Sequence, residues 1–215
     1  GDGDLDAYVA NYDQGNRLWL NDGDGNYTDS GQNLRYSSSY DNSWDVDLAD
    51  LDGDGDLDAF EANYNQNNKV WLNDGSGTFT ATSQNIDGNY YSYDVDLADF
   101  DGDGDMDAFF ANYNGQSNRV WLNDGDGSFT HTQSLGNRYS WEVDIGDIDG
   151  DGDMDAFVAN DQNQGNKVWL NNGSGSFTDS GQSLGSRQSR GIELADLDGD
   201  GDLDAFVVNY SSQGN

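Results

Sequence analysis

Hydrophobic and polar residues alternate in a short segment that precedes each acidic stretch of the chain. In residues 44–49 (WDVDLA), a large apolar side chain occupies every second position. A period of two residues places these side chains on one face of a β-strand. The next apolar run, residues 57–63, is continuous and short enough to be a strand that is buried on both faces. The pattern therefore predicts strands rather than helices.

Two further strands are predicted after this pair. Residues 69–72 form a third apolar segment, and residues 73–77 (NDGSG) have the Asn/Asp-Gly composition of a hairpin turn. Residues 78–82 return as a fourth strand. No part of the chain combines helical periodicity with capping residues. The predicted fold class is all-β, with about four short strands in each unit.

The same unit recurs along the whole chain. The string Gly-Asp-Gly-Asp-(Leu/Met)-Asp-Ala-(Phe/Tyr) begins at Gly1, Gly53, Gly102, Gly150 and Gly199. The string (Arg/Lys)-(Leu/Val)-Trp-Leu-Asn contains Trp19, Trp71, Trp121 and Trp169. One unit spans 48 to 52 residues, and the longest interval has its extra residues in the Ser/Tyr-rich stretch 36–43. Residues 1–215 are therefore interpreted as a single tandem-repeat domain, with four repeats of about 49 residues and a partial one.

Four strands in a unit of this length are typical of a β-propeller blade. An open stack of β-units, as in a solenoid or fibre, is the alternative. The sequence begins part-way through an acidic loop and stops where a Trp-containing strand is expected to follow. Either the two ends exchange strands to close a ring, or these residues are a window on a longer chain. We favour the window, so the propeller is expected to be partial or to be completed by another chain.

The charge of the chain excludes several functions. There are 42 Asp and Glu residues against 8 Lys and Arg, which gives a net charge of −34. Nucleic acids and anionic membrane surfaces need clustered cations, so neither is an expected partner. Cysteine is absent, which excludes disulfides and thiolate metal sites. No apolar run approaches the roughly 20 residues of a membrane span.

Most of the carboxylates lie in a nine-residue loop that predicts a calcium site. In this loop, Asp occupies positions 1, 3, 5, 7 and 9, and Gly at positions 4 and 6 allows the backbone to turn tightly. Calcium binds six to eight oxygen ligands, and alternate residues of a turning loop converge on one centre. We assign side-chain ligation to positions 1, 3, 5 and 9, and ligation by the backbone carbonyl to position 7.

Four loops are complete, and one is partial. The complete loops are residues 50–58 (Asp50, Asp52, Asp54, Asp56, Asp58), 99–107 (Asp99, Asp101, Asp103, Asp105, Asp107), 147–155 (Asp147, Asp149, Asp151, Asp153, Asp155) and 196–204 (Asp196, Asp198, Asp200, Asp202, Asp204). The partial loop, residues 1–6, retains Asp2, Asp4 and Asp6 and is predicted to be weak or empty.

Two alternative interpretations of the loop are weaker than a calcium site. Without a cation, two carboxylates about 5 Å apart repel each other by about 3 kcal/mol at an effective dielectric constant of about 20, which argues against a solvated turn. An EF-hand requires flanking helices and Glu at position 12. Position 12 is Glu61 in one unit only, so this residue is taken as a coincidence. Magnesium fits less well, because it demands a stricter octahedron.

The pattern Asp-x-Asp-Gly-Asp-Gly-x-x-Asp, followed by an apolar strand, resembles the FG-GAP/VCBS repeats. Such repeats occur in the propellers of integrin α-subunits, in related fungal lectins and in many bacterial surface proteins. The resemblance covers essentially the whole chain and recurs in every unit. It implies calcium-binding, blade-like units in an extracellular protein that is used for adhesion, sugar binding or scaffolding.

Aromatic and acidic side chains also recur outside the loops. The four repeated Trp residues are expected to pack in the core between units, although sugar stacking is an alternative. A Tyr after the apolar strand is better placed for sugar contact, and the candidates are Tyr12, Tyr64, Tyr113 and Tyr210. Asp47, Asp96, Asp144 and Glu193 share one strand position and predict an acidic row, which is expected to be solvated rather than to form a second row of cation sites.

The sequence also allows predictions about glycosylation and catalysis. Asn26, Asn172 and Asn209 begin tripeptides of the N-glycosylation type and are glycosylation candidates. The single histidine, His131, does not recur, and no unit departs from the repeat in a way that marks a catalytic centre. An enzyme is therefore not expected.

The sequence thus predicts an extracellular, calcium-stabilised repeat protein with a structural or adhesive role, in one form a section of a surface fibre. A carbohydrate-binding, lectin-like propeller is the alternative. The expected partners are neighbouring copies or further repeats of the same chain, with carbohydrate or a cell-surface protein as further candidates.

Overall fold

A computed structural model describes residues 2–35 and 42–210 of the chain. Residues 36–41, which form most of the Ser/Tyr-rich insertion in the longest interval, lie outside the described residues. Throughout the described ranges, the regular secondary structure consists of strands, and it contains no helix that could cross a membrane. The predicted all-β class is confirmed.

Sixteen strands follow one another among the described residues. They are β1 (Ala7–Val9), β2 (Arg17–Asn21), β3 (Tyr27–Asp29), β4 (Ser43–Ala49), β5 (Asp58–Asn73), β6 (Phe79–Ala81), β7 (Ile86–Ala98), β8 (Asp107–Asn112), β9 (Gln116–Asn123), β10 (Phe129–Arg138), β11 (Ser140–Gly146), β12 (Asp155–Asn160), β13 (Lys167–Leu170), β14 (Thr178–Asp179), β15 (Ser189–Ala195) and β16 (Asp204–Asn209).

The strands form repeated antiparallel meanders that correspond to the sequence repeats. Strands β11 to β14 pair in chain order as a four-stranded sheet, and β7 to β10 pair in the same order. The register is also repeated, since Val143 faces Val158 in one unit and Val95 faces Phe110 in the other. Units 1 to 5 are defined as the groups β1–β3, β4–β6, β7–β10, β11–β14 and β15–β16.

Strand β5 corrects one prediction. The sequence predicts separate strands over residues 57–63 and 69–72, whereas β5 runs continuously over Asp58–Asn73. The middle of β5 stays extended because the first half of β7 pairs with it, with Tyr64 facing Tyr91 and Asn68 facing Ile86. This pairing joins units 2 and 3 into one seven-stranded sheet. In the other units, the equivalent residues form a turn or loop between two strands.

Within the described residues, the sheets do not close into a barrel. Units 2, 3 and 4 contain all the predicted strand segments, whereas three strands are described in unit 1 and two in unit 5. Successive units lie side by side, and their first strands, β4, β7, β11 and β15, contact one another in order. The arrangement is that of open or partial propeller-like repeats, and we call these four first strands the inner strands.

The hydrophobic core lies between neighbouring units. The ring of Phe60 packs edge-on against Phe129 of the next unit, with the ring centroids 4.7 Å apart. Phe109 makes the equivalent contact with Phe177 at 5.5 Å. Of the four repeated tryptophans predicted to pack in the core, Trp71 and Trp169 are buried and Trp121 is partly buried, whereas Trp19 is 36% exposed. No unit can bury its faces alone, so stability depends on stacking.

A repeated glutamine reinforces each contact between units. The Gln84 side chain accepts a hydrogen bond from the Phe129 N–H (2.7 Å) and donates one to the Gly127 carbonyl (2.6 Å). Gln133 likewise accepts a hydrogen bond from the Phe177 N–H, but it donates to the carbonyl of Phe177 itself. Each amide thus extends the sheet edge of one unit onto the next.

The acidic row lies on the inner strands and is bonded rather than solvated. The Asp47 carboxylate accepts a hydrogen bond from Leu97 N–H of the next unit (3.1 Å). Asp96 does the same with Ile145 N–H (3.0 Å). The expectation that these carboxylates are solvated is wrong. They accept hydrogen bonds from backbone N–H groups of the next inner strand, in the place that backbone carbonyls take within a sheet. Burial, with the charges of Asp47 and Asp144, raises the pKa of Asp96 to about 7.

Candidate metal centres

Each acidic loop connects an inner strand to the second strand of its unit. In the loop between β4 and β5, the backbone turns with positive φ at Gly53 (75°) and Gly55 (92°), where a side chain would be strained. The corresponding glycines of the other complete loops have the same sign of φ. The two glycines therefore allow the chain to reverse within nine residues.

The first carboxylate of each loop organises this turn. Asp50 accepts hydrogen bonds from the N–H groups of both loop glycines, at 2.8 Å from Gly53 and 3.0 Å from Gly55. The equivalent pairs of bonds recur in the other three loops, at Asp99, Asp147 and Asp196. The loop conformation is thus held by its own first aspartate.

The ninth carboxylate anchors the loop to the sheet. Asp58 accepts hydrogen bonds from Leu51 N–H (2.9 Å) and from Asn73 N–H at the end of the Trp-containing segment (2.7 Å). Asp107 and Asp155 make the same two kinds of bond. These ninth aspartates are fully buried in units 2 to 4.

Three carboxylates of each complete loop converge. One oxygen from each of positions 1, 3 and 9 lies within 4.8 Å of the other two. The triads are Asp50, Asp52 and Asp58; Asp99, Asp101 and Asp107; Asp147, Asp149 and Asp155; and Asp196, Asp198 and Asp204. Three hard oxygen donors at this spacing are suited to a divalent cation such as calcium.

The aspartates at positions 5 and 7 lie outside these triads. The seventh side chain packs over a glycine of the turn that follows the Trp-containing segment, as Asp105 does over Gly125. The fifth, exemplified by Asp54, accepts a hydrogen bond from the N–H of Asp56 (3.0 Å). Side-chain ligation by Asp54, Asp103, Asp151 and Asp200, and carbonyl ligation by Asp56, Asp105, Asp153 and Asp202, remain predictions.

The partial first loop differs from the complete ones. Asp6, in the ninth position, accepts a hydrogen bond from Asn21 N–H (2.8 Å), so its anchor to the sheet is present. Asp2 accepts one from Asp4 N–H (3.1 Å). Within residues 2–35 and 42–210, these three aspartates form no converging triad. A weak or empty site in this loop remains a prediction.

The electrostatics of the triads favour a bound cation. Burial, followed by the charges of Asp101 and Asp103, raises the pKa of the Asp107 carboxyl to about 7, although two backbone N–H donors act in the opposite direction. Burial also raises the pKa of Asp58 and of Asp155. A divalent cation would stabilise the ionised carboxylates against this cost of burial and repulsion.

A repeated asparagine supports the site and was not identified from the sequence. Asn73, the last residue of its Trp-Leu-Asn string, donates through its side chain to the carbonyl of Leu57 in the loop (3.1 Å). Asn123 donates to Met106 O of its own loop (3.2 Å) and to Leu51 O of the preceding unit (2.9 Å). The signal was the constant Asn after each Trp-Leu pair.

The sugar-contact candidates lie at the other end of the inner strands. Tyr12 and Tyr210 are 53% and 54% exposed, whereas Tyr64 and Tyr113 are half-buried among other rings. All four belong to one aromatic region, which the length of the second strand of each unit separates from the acidic loop. The structure therefore separates the metal candidates from the sugar candidates.

The three glycosylation candidates and the single histidine lie outside the acidic loops. Asn26 and Asn172 are exposed on turns, whereas Asn209 is half-buried and accepts a hydrogen bond from the Ser189 hydroxyl (3.0 Å). The last residue of the Asn209 tripeptide lies outside the described residues. His131 faces Trp121 across the strand pair and its ring contacts the Arg119 guanidinium, and burial and the Arg119 charge lower the pKa of His131. Glycosylation remains a prediction at all three asparagines.

Comparison with known proteins agrees with the repeat. A family model described as FG-GAP-like repeat matches residues 1–61, 52–110, 99–158 and 147–207. No curated protein sequence matches the chain. Among solved structures, a lectin from Agrocybe aegerita, reported with specific recognition of non-reducing terminal N-acetylglucosamine, aligns with a TM-score of 0.60 and 22% identity. The alignment covers 86% of this chain and 50% of the lectin, so the chain spans about half of the lectin's length. At this identity, the likeness shows the fold alone.

Proposed function

Because this chain belongs to the FG-GAP-like repeat family, we propose that it is an extracellular calcium-binding repeat protein with a structural or adhesive role. The observation that carries the proposal is the recurrence of one carboxylate triad in four consecutive loops. A site that recurs in four successive units serves the array rather than a single reaction. We therefore propose a role without catalysis, in which the metal stabilises the scaffold.

The donor set fits calcium. All the candidate ligands are oxygen atoms, and calcium takes six to eight of them from carboxylates, carbonyls and water. In the second unit, Asp50, Asp52 and Asp58 would hold the ion, and further oxygens of the same loop would complete the shell. Calcium-binding modules outside cells have dissociation constants of about 10⁻⁴ to 10⁻³ M, and sites of that affinity would be filled at extracellular calcium levels. This supports an extracellular location.

Calcium would stabilise the connection between the inner strand and the rest of each unit. At about ten times the dissociation constant, one site adds about 1.4 kcal/mol to the free energy of unfolding. Four sites together add about 6 kcal/mol, which is comparable to the whole stability of a typical domain. The array is therefore expected to be rigid in calcium and weak without it.

The experiment is a thermal melt of the whole chain in millimolar calcium, in magnesium and in chelator. We expect the melting temperature to fall strongly in chelator and calorimetric titration to give about four calcium ions per chain. A quadruple variant removes the carboxylate at loop position 3 from every triad and should lose the dependence of the melting temperature on calcium. Its substitutions are Asp52→Asn, Asp101→Asn, Asp149→Asn and Asp198→Asn. Asp24→Asn, an exposed carboxylate outside the triads, is the matched control. An identical melting temperature in calcium and chelator would refute the proposal.

The adhesive or fibrous role rests on how the units contact each other. Each contact joins different faces of neighbouring units, as Gln84 of one unit does with Phe129 of the next. Such heterologous contacts either close into a ring or propagate. We propose further repeats or neighbouring copies of the chain as partners, and a section of a surface fibre as one form of the assembly. Electron microscopy of the native material in calcium buffer would distinguish filaments from discs.

Carbohydrate binding is a second candidate function. The observation that favours it is the group of exposed aromatic rings at the end of the inner strands remote from the loops. A lectin that shares the fold adds support, since it shows that this architecture can present sugar sites. Binding of soluble oligosaccharides in calcium buffer tests this function independently of the melts.

A further inference from the structure

We propose that a continuous aromatic surface, at the end of the inner strands remote from the acidic loops, is a binding surface for neutral glycan chains. This inference rests on the second candidate function and names its site and ligand class. The surface, called here the aromatic band, consists of Tyr12, Trp44, Tyr64, Tyr93, Tyr113, Trp141 and Tyr210. It lies at the beginning of the inner strands, and the acidic loops follow their ends. At about 3.3 Å per residue, a seven-residue strand separates the two regions by about 20 Å.

The rings of the band are in contact across units. Trp44 stacks on Tyr93 of the next unit, with centroids 4.5 Å apart and planes inclined by 25°. Tyr93 in turn packs on Trp141 of the unit after that, at 4.7 Å. Tyr113 lies 4.8 Å from Tyr93, and Tyr12 lies 5.9 Å from Trp44. The band is therefore one surface that crosses several units.

The repeat explains why the rings meet. Trp44, Tyr93 and Trp141 each directly follow the serine at which an inner strand begins to pair with the second strand of its unit. The other tyrosines of the band each directly follow a repeated asparagine at or just beyond the end of the paired part of a second strand. Both positions lie at the same end of a unit, because the two strands are antiparallel and adjacent. Each added unit therefore extends the band by up to two rings.

At the junction of units 4 and 5, a charged pair takes the place of an aromatic pair without breaking the surface. Asp161 replaces the tyrosine and Arg190 replaces the inner-strand ring, and their side chains form an ion pair at 3.1 Å. The Arg190 guanidinium stacks on Trp141 at 4.1 Å and on Tyr210 at 4.0 Å from the ring centroids. Asp161 is fully buried, so the exchange adds a planar group and no exposed net charge.

The loops beside the band are rich in amides and contain few carboxylates. They read NQN at residues 65–67, NGQ at 114–116 and QNQ at 162–164. Together with residues 12–16, they contain one carboxylate among the described residues, Asp13, and the buried Asp161 directly precedes the third loop. The carboxylates that follow the inner-strand rings include Asp45 and Asp94, which accept hydrogen bonds from backbone N–H groups of the next inner strand. Amides offer both hydrogen-bond donors and acceptors at the edge of an apolar surface.

The exposed rings and the neighbouring amides together indicate which class of ligand the band can bind. A sugar ring has an apolar C–H face that stacks on an aromatic ring and a rim of hydroxyl groups that pair with amides. The band presents both elements, and Tyr12, Trp44 and Tyr210 keep 53%, 42% and 54% of their surface exposed. An anionic ligand would need unpaired cations, whereas Arg190 is already paired with Asp161. A neutral glycan that contacts several rings is therefore the ligand that best fits the surface.

The test is calorimetric titration of the whole chain, in calcium buffer, with neutral oligosaccharides of glucose, mannose, galactose and N-acetylglucosamine. Alginate serves as the anionic comparison. We expect at least one neutral oligosaccharide to bind, with affinity that increases with chain length. Tyr12→Ala and Trp44→Ala should each weaken binding about tenfold, which corresponds to about 1.4 kcal/mol. Tyr27→Ala, which removes a tyrosine that is 47% exposed beside the first acidic loop, should leave it unchanged.

The inference would be overturned if no neutral oligosaccharide bound or if alginate bound preferentially. An equal loss of affinity in the Tyr27→Ala control would also overturn it. Self-association of the chain that is abolished by Tyr12→Ala would also overturn it, because a second copy would then be the occupant. Circular dichroism of each variant in calcium establishes folding. A normal calcium-dependent melt without glycan binding refutes this inference and leaves the calcium proposal standing.

Discussion

The two ends of the inner strands present opposite chemistry on the same scaffold. At one end, the loops repeat the same spacing of aspartates and glycines in four units, and their carboxylates converge. At the other end, the equivalent positions hold Trp, Tyr, Arg or Asp, and the one Arg contacts the one Asp. A metal site fixes both the identity and the spacing of its ligands, whereas a packed aromatic surface fixes only shape and polarity. The acidic end is therefore uniform, and the aromatic end varies in pairs.

The largest effect is expected where the aromatic end carries a buried charge. Arg190→Leu would leave the Asp161 carboxylate buried without its cation, and we expect a loss of about 3 kcal/mol in the free energy of unfolding. Chemical denaturation measures this loss. The double variant Asp161→Tyr with Arg190→Tyr restores the aromatic pair of the other units and should recover most of the stability. If the double variant is no more stable than Arg190→Leu, variation in pairs is not the rule at this end.

The second largest effect on stability is expected at the acidic loops. Each oxygen of the Asp107 carboxylate accepts a hydrogen bond from a different backbone N–H group, so Asp107→Asn places an NH2 donor against one of them and also weakens a calcium ligand. We expect a loss of about 2–3 kcal/mol in calcium, from the one unsatisfied donor and the weakened site together. Asp204→Asn is the matched control, because this ninth-position carboxylate is partly exposed and accepts a bond from Leu197 N–H (3.1 Å). Equal losses in denaturation experiments would mean that burial does not determine the effect.

A smaller effect is expected between the two ends, on the acidic row. The pKa of Asp96 is raised to about 7, so between the unfolded value near 3.8 and pH 7 the folded state binds the proton more strongly. Stability from this group therefore falls as the pH rises through that window. Asp96→Asn keeps an acceptor for Ile145 N–H and removes the charge. It should stabilise the protein by about 1–2 kcal/mol at pH 8 and have little effect at pH 4.

The control for this pH dependence is Asp24→Asn, which removes an exposed charge outside the row. Its denaturation profile should run parallel to that of the wild type from pH 4 to pH 8. If Asp96→Asn destabilises the protein at pH 8 as well as at pH 4, the hydrogen bond to Ile145, rather than the ionisation, is the dominant contribution of Asp96.

The smallest effect on stability is expected at the exposed rings. Tyr12→Ala removes a side chain that is more than half exposed, so the free energy of unfolding should change by less than about 1 kcal/mol. Glycan binding should nevertheless weaken about tenfold, as proposed for the aromatic band. Denaturation and titration of the same variant separate the two quantities. A large loss of stability would show that Tyr12 has a structural role in place of a binding role.

The local structure of the molecule was predictable from the sequence. The alternation in residues 44–49 predicted β4, and the Asn/Asp-Gly turn predicted the hairpin that ends in β6. The spacing of aspartates and glycines predicted the convergence of positions 1, 3 and 9, because ligand geometry is encoded within nine residues. These features depend on contacts between residues that are near in sequence.

Contacts between units were not predictable in the same way. The bond from Leu97 N–H to Asp47 joins residues 50 positions apart, so the acidic row was expected to be solvated. The continuous β5 depends on pairing with the first half of β7, which no local pattern indicates. Asp161 and Arg190 were visible as two exceptions to the repeat, yet only the fold shows that they compensate each other. Long-range partners therefore account for what the sequence analysis missed.

The bonds along the acidic row also have an evolutionary consequence. Each unit carries both halves of the junction: carboxylates that reach forward, such as Asp47, and backbone N–H groups that receive the preceding unit, such as that of Leu97. A duplicated segment of about 49 residues therefore arrives with a complete pair of connectors. Recombination between repeats could lengthen or shorten the protein by whole units without creating a new interface. Copy number is thus a quantity that selection can adjust freely, while each unit keeps its chemistry.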